Sequence, residues 1–154
     1  MAGSTQPQEG FALLQTGRFL MTAEHDDAQA GVIVRSVQVC SEDPPLLCIA
    51  VRTGHPIEPI IRDARCFAIC RLDEGDKLAL RKFSTDSWVD SESPFDAIPI
   101  QKLRTGAPVL RRSSLVFDCE VVRHFDLEAE SELYIGQVVA CRVTPGAGVP
   151  HEIV

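Results

Sequence analysis

The chemistry open to this sequence begins with where its cations stand. Arg81-Lys82 closes a stretch with helical spacing, Arg111-Arg112 precedes a strand, and Arg35 interrupts a row of aliphatic residues. A doubly charged anion is held by guanidinium or ammonium groups acting with hydroxyls and backbone amides, so each of these is a candidate anion contact. The basic pairs are also short enough to be ordinary solvated surface. Arg35 reads equally well as half of a surface ion pair, since arginine is rarely buried unless paired.

The other reactive residues are less organised. Of four histidines, His25 in the polar turn His25-Asp26-Asp27 and His151 near the terminus read as solvated, His55 lies in a Gly-His-Pro turn, and His124 ends a strand. No acid–base pair stands out, and no catalytic residue is assigned. The motifs GxSxG, GxGxxG after a strand, GxxxxGK[ST] and HExxH are all absent. The cysteines, Cys40, Cys48, Cys66, Cys70, Cys119 and Cys141, all fall in apolar, strand-like runs. The closest pair, Cys66 and Cys70, is four residues apart and there is no CxxC, so all six are expected to be reduced core residues, with no metal bound.

Bulk properties narrow the classes. At 154 residues the chain is one ordinary domain. With 45% hydrophobic and 24% charged residues it has the composition of a soluble globular protein. A net charge of -7 opposes binding to nucleic acid or an anionic membrane surface. The opening MAGSTQPQEG has no basic segment followed by an apolar one, and no apolar run approaches the ~18 residues of a membrane helix. A cytoplasmic location is expected, without nucleic-acid or membrane partners.

These residues need elements to position them. Arg18 to Thr22, Gly31 to Ser41, Leu46 to Arg52 and Cys66 to Leu72 are rich in Val, Ile, Leu, Phe and Cys and are separated by polar and proline breaks, as strands are. In the second, Ile33, Arg35, Val37 and Val39 alternate with Val34, Ser36, Gln38 and Cys40. Two longer strands, Ser114 to Phe125 and Glu132 to Val143, flank the acidic turn at 126–131 and form a hairpin. Short helices are expected at Phe11 to Leu14, after Pro56 through Ala64, and from Asp76 to Phe83, where Leu78, Leu80 and Phe83 make an apolar side. Residues 84–106, with Trp88, are a long polar excursion, either a lid or a tolerated surface loop. The fold class is mostly β, a barrel of about six strands with two or three short helices. Residues 1–9 read as a disordered tail, 10–145 as the domain and 146–154 as a second tail.

Several pieces, in order, resemble flavin reductase-like proteins of the FMN-binding split-barrel family. Thr16-Gly17 before a strand ending in Thr22 looks like the family's opening. The run from Gly31 through Ser41-Glu42-Asp43-Pro44-Pro45-Leu46 is similar to its central glycine, strand and Ser-x-x-Pro-Pro-Leu, and is the most specific piece. Phe67 to Leu72, Leu78 to Phe83, Thr105 to Leu110 and Leu133 to Val139 resemble its later segments, so that the likeness covers residues 10 to 143.

The resemblance implies a homodimeric, six-stranded antiparallel Greek-key split barrel with FMN at the subunit interface. It also implies an NAD(P)H-dependent flavin oxidoreductase in which a hydride passes from nicotinamide to flavin. Carried over residue by residue, Val34, Arg35 and Ser36 line the flavin ring. Ala50, Val51, Arg52 and Thr53 approach ring and phosphate, and Arg81, Lys82 and Phe83 reach the phosphate. A cation at Arg35 would favour the anionic reduced flavin and raise its potential. Two positions depart from the family: Ile57-Glu58 stands where relatives carry a hydroxyl residue, and Ala129-Glu130-Ser131-Glu132 where many carry Gly-x-His-Thr. Two alternatives therefore stay open: an FMN electron-transfer protein that docks a redox partner on the acidic turn, and a flavin-less binding or structural dimer.

Overall fold

A computed structural model describes residues 5–91 and 93–144. The tail assigned to 146–154, with His151, lies outside the described residues, and α1 (Pro7–Ala12) begins inside the stretch read as the first tail. That helix lies earlier than the Phe11 to Leu14 pattern placed it, since Pro7 is preset for a first helical turn. It buries none of its residues.

The sheet starts with the hairpin of β1 (Arg18–His25) and β2 (Ala28–Val34). Its turn residues Asp26 and Asp27 have φ of 48° and 66°, the left-handed pair that matches the twist of antiparallel strands and that Asp tolerates. The single strand expected over Gly31 to Ser41 is two strands: β2 ends at Val34, and β3 (Gln38–Glu42) begins after Arg35-Ser36-Val37. The apolar alternation runs straight through this break, so it gave no sign of it. β3 leads into β4 (Pro45–Arg52), followed by β5 (Cys66–Leu72) and the long hairpin of β8 (Leu115–Asp126) and β9 (Ser131–Val143). Between them, the two-residue strands β6 (Ile100–Gln101) and β7 (Val109–Leu110) pair with each other.

All pairings are antiparallel, and the large sheet runs β2-β1-β5-β8-β9-β4-β3. Its two edges, β2 and β3, are joined through only Arg35, Ser36 and Val37, a span of at most about 14 Å. A seven-stranded sheet whose edges are tethered so closely has to curl until they meet. The result is the expected mostly-β split barrel, with one strand more than expected because of the break at the seam.

Leu20, Met21, Ile49, Phe67, Ile69 and Val116 are fully buried in the core. α2 (Ile57–Ala64) buries Ile57 and Ile61 and ends at Arg65, which has a left-handed φ of 61° and donates its N–H to the Ile61 carbonyl at 2.7 Å. α3 (Lys77–Phe83) buries Ala79 and Phe83, whereas Leu78, expected on its apolar side, is exposed. The 84–106 excursion carries a 3-10 turn, Ser87–Asp90, that buries Trp88, and a later turn that buries Phe95. All six cysteines are free. Cys66, Cys70 and Cys119 are core residues as expected, but Cys40 and Cys141 are exposed and Cys48 half-buried. Cys40 lies on an edge strand that presents nearly every residue to solvent. Burial pushes the thiols of Cys70 and Cys119 up to about 12, which keeps them protonated and inert. Among the described residues no helix is long and apolar enough to cross a membrane.

Candidate functional site

Where the barrel seam opens, a cleft of about 390 Å³ lies between β2 and β4 and is closed at one end by the end of α3. Val32, Ile33, Val34, Ala50, Val51 and Phe83 give it an apolar wall, and Arg35, Arg52, His55, Ser84 and Asp86 complete it. Six residues expected at the site thus meet there: Val34, Arg35, Ala50, Val51, Arg52 and Phe83. Phe83 reaches the wall because residue 31 is glycine. A β-carbon there would come within 2.7 Å of the Phe83 ring.

A second cleft of about 400 Å³ shares Ile33, Arg35 and Ser84 with the first and adds Arg18, Lys77, Leu80 and Arg81. Arg81 belongs here rather than in the main cleft. The two adjoining clefts together are lined by five cations, Arg18, Arg35, Arg52, Lys77 and Arg81, in an acidic chain. Arg35 makes no ion pair among the described residues, so the surface ion pair that the sequence allowed is not formed. Ser36, Thr53 and Lys82 line neither cleft. Thr53 instead ties β4 to the acidic turn: its N–H donates to the Glu130 carbonyl at 2.8 Å and its hydroxyl to the Ala129 carbonyl at 3.1 Å.

His55 and Asp86 were not foreseen as site residues. The N–H of His55 donates to the Arg52 carbonyl at 3.1 Å, closing a turn in which Gly54 has φ of 82°, a value glycine adopts without strain. The turn puts His55 at the foot of α2, where its Nδ1 accepts the Ile57 N–H at 3.0 Å. The proton of the neutral ring is therefore on Nε2, which lies 3.3 Å from Asp86 Oδ1. Asp86 Oδ2 in turn accepts from Arg52 Nη2 at 2.7 Å. Trp88 lies against the imidazole, with ring centroids 5.9 Å apart, and Phe83 against Trp88 at 6.0 Å. Burial lowers the His55 pKa below that of an ordinary histidine, against the opposing pull of Asp86. Sequence spacing could not have shown this group, because His55 and Asp86 stand 31 positions apart in the chain.

A separate polar cleft collects Glu58, Arg62, Arg65, Arg123, His124, Glu132 and Tyr134 from α2 and the turn end of the β8–β9 hairpin. His124 stacks on Tyr134 at 4.5 Å and stands 3.5 Å from Glu132 Oε2. Ligating atoms of Glu58, His124 and Glu132 all fall within 4.8 Å of one another. Burial, and then the neighbouring Glu132, raise the Glu58 carboxyl pKa, although the Gly54 N–H donates to it at 3.0 Å. Position 131 carries serine, and His124 stands on the opposite strand of the hairpin, placed by the register His124↔Tyr134 and Asp126↔Glu132.

A model of the "flavin reductase like domain" family matches residues 11–150. The chain belongs to the flavin reductase-like family. It is 32% identical over 151 residues to the NADH-dependent flavin reductase StyB of Pseudomonas fluorescens, covering 97% of this chain and 84% of that protein. The structure of the styrene monooxygenase flavin reductase from Pseudomonas putida S12 superposes with a TM-score of 0.76 and 26% identity, over 93% of this chain and 88% of that one. An NADH:FAD oxidoreductase of Streptomyces globisporus C-1027 gives a TM-score of 0.77 at 22% identity, over 94% and 89%. These flavin reductase-like proteins bear out the family expected from the Ser-x-x-Pro-Pro-Leu segment and its neighbours, and their class is that of flavin oxidoreductases.

Proposed function

We propose that the chain is an NAD(P)H-dependent flavin reductase that holds FMN in the seam cleft. The observation that supports this best is the join of an apolar slot with a cationic rim at one opening. An isoalloxazine ring needs the slot, and a phosphate needs the rim. The residues fit the group. Val32, Val34, Val51 and Phe83 would flank the ring, and the edge strand β2, paired on one side only, leaves backbone amides and carbonyls for its polar edge. Arg52 would face the phosphate end, with Arg35 beside the ring.

Bound flavin would supply the hydride-accepting chemistry. The chain orients the flavin and nicotinamide rings and keeps water from them, and no side-chain acid or base is demanded for that. Glu58, whose carboxyl pKa burial raises, and His124 lie in the separate cleft and are not needed for hydride transfer. Ile57, whose missing hydroxyl left a flavin-less protein open, has its side chain wholly in the core. A hydroxyl at that position would sit in the same core environment.

The second, cationic cleft supports a variant of the same reading in which the ligand is FAD and its second phosphate occupies the annex. A homodimer is part of the proposal. It is supported by the exposed apolar residues Phe11, Leu13, Leu14, Phe125 and Val143, and light scattering that returned a 16.9 kDa particle would remove it.

Titration of the protein with FMN and FAD, followed by anaerobic mixing with NADH and with NADPH, tests the function. Tight binding of one flavin and rapid bleaching of its absorbance are expected. Binding without bleaching would leave the electron-transfer reading, and no binding would leave the flavin-less one.

A further inference from the structure

His55 is 3% exposed, and each of its ring nitrogens faces a different element. Nδ1 accepts from the first turn of α2, and Nε2–H points across to Asp86 on the segment after α3. Asp86 spends its other oxygen on Arg52. Arg52 otherwise has little to hold it, since its side chain is 59% exposed and this is its sole ion pair among the described residues. An arginine left free on the surface loses rotamer freedom when it closes on an anion, whereas one already fixed does not. The contact also leaves most of the guanidinium donors of Arg52 unused, because Asp86 takes only Nη2.

We propose that His55 is a positioning residue: acting through Asp86, it fixes Arg52 at the mouth of the seam cleft and so sets the affinity of the site for the phosphate of its flavin. This rests on the flavin reading above. His55 touches neither ring nor phosphate in this role. Its service is to hold a carboxylate that would otherwise be an exposed anion free to swing away from Arg52. The order of contacts, buried imidazole to carboxylate to guanidinium, transmits the rigidity of α2 to an exposed side chain.

The test compares FMN with riboflavin, which has the same ring and no phosphate. His55→Asn keeps an acceptor near Nδ1 for the Ile57 N–H and loses the reach to Asp86. His55→Gln keeps an amide donor near Nε2. Asp86→Ala removes the link at a residue that is half-exposed, which leaves the core untouched. In His55→Asn and Asp86→Ala the FMN dissociation constant is expected to rise about tenfold, the size of one charge-assisted hydrogen bond, with riboflavin binding unchanged to within about twofold. His55→Gln should restore most of the FMN affinity. The double variant should be no weaker than Asp86→Ala alone, because both changes break one chain of contacts.

Equal loss of FMN and riboflavin would mean that His55 acts only structurally, and that overturns the proposal while leaving the flavin site intact. Tighter FMN binding by Asp86→Ala would mean that Asp86 acts by repulsion, and it too overturns the proposal. Wild-type protein that binds neither flavin removes the reading on which the proposal rests, and the proposal with it.

Discussion

At the scale of single residues, the site is a matter of which charges have partners. Arg35 has none among the described residues and lines both clefts. Replacing it with alanine should weaken FMN binding and move the potential of the bound flavin to more negative values, by about 30 mV for each 1.4 kcal/mol of lost preference for the reduced form. Spectroelectrochemistry of both proteins measures this, and an unchanged potential would leave Arg35 a binding contact only. His55 makes a second prediction, on stability. Its native pKa is below the ordinary value of about 6.5 because burial penalises the cation. As pH falls through that value, the unfolded chain takes up a proton that the native ring refuses. Stability is therefore full above about pH 7 and declines between the ordinary pKa and the lower native one. The groups facing the ring are Asp86, Arg52 beyond it, the Ile57 N–H and Trp88. Urea midpoints measured from about pH 7.5 to pH 5 should fall in the wild type and fall less in His55→Gln.

At the scale of elements, two glycines decide how closely the layers approach. Gly31 on β2 lets the Phe83 ring at the end of α3 lie where a β-carbon would stand 2.7 Å from it, and Gly136 on β9 does the same for Phe67 at 2.5 Å and the Cys119 β-carbon at 2.8 Å. Alanine at either site overpacks and should cost about 1 to 3 kcal/mol, read as a lower thermal midpoint. Only the Gly31 change should also weaken flavin binding, since Phe83 forms the cleft wall. A Gly31→Ala protein with wild-type flavin affinity would show that Phe83 is not part of the binding surface. The helices over Ile57–Ala64 and Lys77–Phe83 and the β8–β9 hairpin were legible, because long periodic patterns and turn residues announce them. The break at Arg35 was not legible, since an alternating strand and two strands across a seam look alike to a period of two.

At the scale of the whole molecule, one buried carboxylate ties the loop before β7 to the barrel. Asp118 on β8 is fully buried and accepts from the Arg104 N–H at 2.8 Å, the Thr105 N–H at 2.7 Å and the Thr105 hydroxyl at 2.5 Å. The Thr22 hydroxyl holds the same loop from β1 by donating to the Pro108 carbonyl at 2.5 Å. Asp118→Ala leaves two amides and a hydroxyl without their acceptor and should destabilise the fold by about 3 kcal/mol. Denaturant unfolding reads this directly, and a loss under about 1 kcal/mol would mean that water replaces the carboxylate. None of these residues lines the seam cleft, so the folded fraction should keep its flavin affinity.

The sequence by itself determined the family, the mostly-β class, six of the residues that meet at the seam cleft and the excess of cations near them. Those follow from local composition and from the order of segments along the chain, which survive without coordinates. Only the tertiary structure decided that Thr53 and Lys82 face elsewhere, that Arg18 and Lys77 join the cationic rim, and that His55 reaches Asp86. Each of these depends on a register or crossing between segments distant in the chain, and the physical cause is the tether at Arg35-Ser36-Val37. By forcing the sheet edges together, it creates an opening whose walls come from strands and loops that no sequence interval relates.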